Sequence, residues 1–214
     1  MAYNFEEQEQ LDSLKAFWGR WGSLILTVIT VIALAVAGSR LWGWYQNKAA
    51  ADAANAYGVL QTAAEARDMS RVRAATQTLR DSHGGSIYAP MGALVAAKAH
   101  VDARELDAAA AELRWIIDKA GTTEFAPIAR LRLAGLLLDQ GKAEQGLGLL
   151  DRDTLPKAFR PLADDRRGDL LAALARRDEA IAAWEVALAE LPAGGPLRRT
   201  IELKRDSLKA QAAS

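Results

Sequence analysis

The stretch 161–194, PLADDRRGDLLAALARRDEAIAAWEVALAELPAG, decides the fold. It closes on the breaker Pro192-Ala193-Gly194-Gly195, and its apolar and alanine positions recur at helical spacing in blocks of roughly a dozen residues. Gly168 and Ala180 are small where two antiparallel helices must come close, and Trp184 is large enough to fill the groove between them. The stretch reads as a helix-turn-helix hairpin.

Working outward, the pattern repeats. Breakers at Asp68, His83-Gly84-Gly85, Gly121-Thr122-Thr123, Gly141 and Pro156 divide the rest into helical blocks, and no stretch alternates like a strand. Self-comparison gives a period of about 34 residues, the length of a tetratricopeptide hairpin, with one insertion of about three from Glu124 to Ala126. The blocks 56–89, 90–123, 127–160 and 161–194 then align. The eighth position holds Ala63, Ala97, Ala134 and Gly168; the twentieth holds Ala75, Ala109, Gly146 and Ala180; the twenty-fourth holds Leu79, Leu113, Leu150 and Trp184. Arg130, Asp164 and Arg167 stand where bulky residues are usual, so the repeats are degenerate.

A stacked array needs a polar cap on its last unit. Within 195–214, Pro196 to Ala210 suits that role, with Leu197, Ile201 and Leu208 able to face inward from an otherwise charged helix. Upstream, Trp21 to Ser39 (WGSLILTVITVIALAVAGS) carries no charge, and a helix of that length rises about 28 Å, enough to cross a bilayer. Trp18 and Trp21 on one side and Trp42, Trp44 and Tyr45 on the other are membrane-interface anchors. Ala35-Val36-Ala37 has signal-peptidase spacing, but Glu6, Glu7, Glu9 and Asp12 precede it where a signal peptide would be basic. Lys15 and Arg20 before the span balance Arg40 and Lys48 after it, so charge alone leaves orientation open. The fold class expected is all-α: one N-terminal transmembrane helix, then a tetratricopeptide-like solenoid with a capping helix. Its parts are an acidic tail 1–20, a span 21–39, a membrane-proximal helix 40–55, repeats 56–194 and a cap 195–214.

The composition excludes much chemistry. Twenty-seven basic residues balance twenty-seven acidic ones, which gives no reason to expect nucleic acid, and with no cysteine there is neither a disulfide nor a thiol nucleophile. The two histidines, His83 and His100, lack carboxylates at metal-ligand spacing. Gly146-Leu147-Gly148 lies inside an expected helix and is packing rather than a phosphate cradle. Asp164 and Asp165 are adjacent, point to different sides of a helix and cannot serve one substrate together. The pairs Arg166-Arg167 and Arg176-Arg177 adjoin acids, as on a solvated helix surface. No enzyme, metal, cofactor or small-molecule substrate is expected.

The remaining candidate is the inner groove of the array, lined by fixed positions of each first helix. Candidate partner-binding residues are Met91, Leu94, Lys98, Ile128, Leu131, Asp165 and Asp169, with Val101, Gly135, Leu138, Leu162 and Ala172 at equivalent positions. This mixture suits an apolar or amphipathic peptide better than an acidic tail.

Glu6-Glu7-Gln8-Glu9-Gln10-Leu11-Asp12, then Leu14-Lys15-Ala16-Phe17-Trp18, one span and degenerate repeats together resemble the YfgM-like ancillary subunits of the SecYEG translocon of Gram-negative bacteria. The likeness continues in Tyr88-Ala89-Pro90-Met91, in Ile128 to Ala134 and in Asp165 with Arg167-Gly168-Asp169. The resemblance implies an inner-membrane protein with a cytoplasmic N-terminus and a periplasmic repeat domain. It also implies two partners, the SecYEG channel and PpiD, a membrane-anchored prolyl-isomerase-like periplasmic chaperone. A scaffold of an envelope complex unrelated to secretion would use the same architecture.

Overall fold

The computed structural model describes residues 3–119 and 124–212, with side chains described for 9–119 and 124–210. The Gly121-Thr122-Thr123 breaker and the side chains of Glu6, Glu7 and Gln8 lie outside these residues. Nine α-helices are described: α1 (Tyr3–Glu65), α2 (Met69–His83), α3 (Tyr88–Asp102), α4 (Leu106–Asp118), α5 (Ala126–Asp139), α6 (Ala143–Leu147), α7 (Arg160–Ala173), α8 (Arg177–Glu190) and α9 (Pro196–Ala212). No strand occurs among the described residues. The chain divides into two compact units, 1–52 and 53–214.

In the first unit α1 is the one helix among the described residues long and apolar enough to cross a membrane, with a mean hydropathy of 2.2 in its best window. Its apolar side chains from Leu26 to Val36 are exposed, as lipid contact requires. Three of the span's hydroxyls are satisfied within the helix: Thr27 and Thr30 donate to the Ser23 and Leu26 carbonyls at 2.8 Å, and Ser39 donates to the Val36 carbonyl. Trp18, Trp21, Trp42, Trp44 and Tyr45 are all exposed, and the Lys48 ammonium lies 5.5 Å from the Trp44 ring.

The second unit is a succession of hairpins, α1 (its last turns)/α2, α3/α4, α5/α6 and α7/α8, closed by α9. Its core comes in stages. Leu60, Ala63, Val72, Ala75 and Leu79 pack with Ala96 and Ala99; Ala97, Ala109, Leu113 and Ile116 pack with Leu133 and Leu137; Leu150, Leu155 and Leu170 form a third cluster; Leu171, Trp184, Ala187 and Ile201 form the fourth. All twelve residues aligned above at the eighth, twentieth and twenty-fourth positions are buried.

Local chemistry sets the helix ends. The Asp68 carboxylate accepts from the Arg71 N–H at 3.0 Å and caps α2. Pro127, Pro161 and Pro196 each stand in the first turn of a helix, where a missing N–H is harmless. Between first and second helices the chain turns through one left-handed residue: Arg67, Arg104, Gly141 and Ala175, with φ of 54°, 63°, 71° and 58°. That residue precedes Leu113, Leu150 and Trp184 by nine positions but precedes Leu79 by twelve. Counted from its turn, the first hairpin therefore begins three residues before the 56–89 register, at Ala53. Leu60, Val72 and Thr76, all buried, then take the places first given to Ala63, Ala75 and Leu79.

The third hairpin departs from expectation. Its second helix, read as continuing through Gly146-Leu147-Gly148, ends at Leu147 with Gly148 as its C-cap. Two glycines in three residues weaken the helix, the Asp151 carboxylate caps a following 3-10 turn (Arg152–Thr154), and Pro156 blocks resumption. Leu150 and Leu155 still reach the core. Arg152 holds the segment down through ion pairs to Asp164 of α7 and Glu190 of α8.

Candidate partner-binding groove

The groove is built on α3, α5 and α7. Glycines keep its supporting layer tight at two positions. A Cβ added at Gly168 would lie no farther than 2.6 Å from three atoms of the Trp184 indole, whose N–H donates to the Asp165 carbonyl at 3.2 Å. One added at Gly146 would lie 2.8 Å from Leu170 Cδ2. These contacts hold α7 against α8 and α6 against α7, and so fix where the groove-facing side chains emerge.

Between α3, α5 and α7 lies a cavity of about 350 Å³, within the roughly 300–1,000 Å³ usual for ligand sites. Of the sequence candidates, Lys98 and Leu131 line it, joined by Val101 and Gly135 from equivalent positions. Met91, Leu94 and Ile128 are half-buried elsewhere on α3 and α5 and do not line it. Asp165 and Asp169 are engaged: Lys204 of the capping helix donates to Asp165 at 2.9 Å and to both Asp169 oxygens at 2.8 and 3.0 Å.

Residues not expected in the groove complete the cavity, above all Arg132, Leu136, Asp139 and Arg166, the last expected on a solvated helix surface. Arg132 and Arg166 share the sixth position of successive hairpins, a regularity visible in the sequence once the register is set. The Arg166 guanidinium lies over Gly135, where an added Cβ would stand 3.4 Å away in ordinary contact. The floor is apolar, and the rim is mainly cationic.

Electrostatics elsewhere is structural. Burial raises the Asp165 carboxyl above its ordinary range, with Lys204 pulling the other way. Burial opposes the charge on Lys204 too, yet its bonds to Asp169 and Asp165 outweigh that and raise its pKa. Asp164 is likewise raised by burial, against Arg152 and Arg167. On α4, burial raises Glu112 although Arg80 pairs with it, while the Arg80 guanidinium stacks 4.7 Å from the Trp115 ring centroid. His100 is buried and its Nδ1 lies 2.7 Å from Glu105 Oε2, a bond that lowers the Glu105 pKa. No group of three or more potential metal ligands occurs among the described residues.

A family model described as a tetratricopeptide repeat-like domain matches residues 15–210. The chain is 32% identical over 213 residues to an ancillary SecYEG translocon subunit of Neisseria gonorrhoeae, covering 98% of this chain and 100% of that one. It is 25% identical over 179 residues to the Escherichia coli protein of the same description, covering 84% and 85% of the two chains. For the Haemophilus influenzae counterpart the figures are 24% over 152 residues, 71% and 74%.

Proposed function

The chain belongs to the family of ancillary SecYEG translocon subunits and carries its tetratricopeptide repeat-like domain, and on that premise we propose that it is a single-pass inner-membrane adaptor of the SecYEG channel. The observation that carries this reading is the length of the gonococcal likeness, which takes in both the apolar segment and the whole repeat array. In this reading residues 1–20 lie in the cytoplasm, 21–39 span the bilayer, 40–52 form a membrane-proximal helix, and the repeats, counted from Ala53 to residue 194, with the cap 195–214 lie in the periplasm. The groove receives a periplasmic chaperone of the PpiD type, so that a protein leaving the channel meets it at once.

The mechanism is tethering without turnover. Two modules held in one bilayer meet at high effective concentration, so contacts too weak to persist in solution suffice. The groove candidates Met91, Leu94, Lys98, Ile128 and Leu131 fit this role; Asp165 and Asp169 act in it through Lys204, by positioning α9. Site-specific photo-crosslinking in living cells, with the probe in turn at Trp42, Met91 and Leu131, tests the proposal. Adducts to channel subunits from Trp42 and to a periplasmic chaperone from Met91 or Leu131 are expected. Adducts confined to cytoplasmic proteins would overturn both the orientation and the channel assignment.

A further inference from the structure

The cavity between α3, α5 and α7 pairs an apolar floor with a charged rim. Ala97, Val101, Leu113, Leu131 and Leu136 form the floor, while Lys98, Arg132 and Arg166 stand around it with one carboxylate, Asp139. The cations are weakly neutralised. Lys98 meets Asp102 at 2.6 Å in a solvent-exposed pair of the kind that contributes little. Arg166 stands 3.6 Å from Asp169, whose oxygens Lys204 already holds. Arg132 has no ion pair among the described residues and is exposed.

We propose that this cavity binds an acidic amphipathic peptide segment, with one apolar side chain seated against Val101, Leu131 and Leu136 and its neighbouring carboxylates on Arg132 and Arg166. The inference deepens the adaptor reading and rests on its claim that the groove binds protein. Charge complementarity selects the occupant. A basic segment would bring like charges against three cations. A wholly apolar one would strip water from those cations without replacing its hydrogen bonds. An acidic segment gives Arg132 and Arg166, each a planar fork of donors, the carboxylates that such forks fit.

The test uses the full chain in phosphatidylcholine nanodiscs and two fluorescein-labelled peptides of equal length, one alternating leucine with aspartate and one alternating leucine with lysine. Anisotropy titration should show the aspartate peptide binding more tightly, and its affinity should fall as salt rises. Arg132→Glu, an exposed change, should weaken the aspartate peptide about tenfold or more while leaving the thermal melt unaltered. Gly135→Leu fills the floor without changing charge, and should weaken binding while keeping the salt dependence. Equal affinity for the two peptides, or an unchanged affinity in Arg132→Glu, would overturn the proposal. Channel copurification from the same preparations separates this inference from the reading beneath it. Wild-type protein that binds the aspartate peptide but never the channel refutes the adaptor assignment alone; channel association with no peptide preference refutes this one.

Discussion

Gly168→Ala sets helix propensity against packing. In a helix interior, alanine is favoured over glycine by about 1 kcal/mol. Here the new methyl would land within 2.6 Å of three indole atoms of Trp184, a side chain that is only 3% exposed. Overpacking of this kind costs about 1–3 kcal/mol, and moving the indole also puts at risk its bond to the Asp165 carbonyl, a further loss of about 1 kcal/mol. Packing wins, and the variant should be destabilised by about 2 kcal/mol, a fall of about 4–8 °C in Tm for a protein of this size. Far-UV circular dichroism melts of the full chain in neutral detergent measure it. The partner experiment is Trp184→Leu, which removes the indole. In that background Gly168→Ala should become neutral or mildly stabilising, giving a coupling of about 2 kcal/mol between the two sites. A single variant that melts at or above the wild type, or a cost that persists without Trp184, would refute the reasoning.

Gly146→Ala should cost less, about 1 kcal/mol or below, because its nearest contact is the movable end of Leu170; the same melts rank the two. Arg152→Ala should destabilise by about 3 kcal/mol in urea titration, since it strands the buried Asp164 carboxylate and frees the non-helical segment after α6. Lys204→Met should lower stability most at neutral pH. Burial already raises Asp165 in the fold above its ordinary 3.8, so protonation favours the folded state. The deficit should therefore shrink as pH falls through the raised value toward 3.8; melts at about pH 7 and about pH 4.5 check the sign, and a deficit that grows in acid would contradict it.

The hairpins were legible because close helix approach needs small residues at fixed spacing, and Ala97, Ala134, Gly168, Ala109, Gly146 and Ala180 supply them. The proline opening each later hairpin, Pro90, Pro127 and Pro161, was a further signal left unused. Two features of the fold were not legible. Alanine is so common near residue 60 that Ala63 and Ala75 fit the small positions better than Leu60 and Val72, which the register counted from the turn puts there, and only the left-handed turn at Arg67 reveals the shift. The early end of α6 depends on how Gly148, Asp151 and Pro156 act together, whereas periodicity registers only the leucines, which stay buried either way. The cavity's two arginines, unlike Lys98, were not legible as groove residues for a different reason. Arg132 reads as a solvated surface charge until α3, α5 and α7 are placed side by side, and the engagement of Asp165 and Asp169 becomes visible only once Lys204 returns from the last helix.

The staged core has an evolutionary consequence. Each cluster draws on adjoining hairpins or the cap, and among the described residues only Leu147 and Leu149 pack against two of them. A change on one seam thus needs its compensating change across that seam and nowhere else. Lineages can rewrite one seam at a time. Divergence to about a quarter identity, as against the Escherichia coli relative, is what such piecewise drift would leave behind.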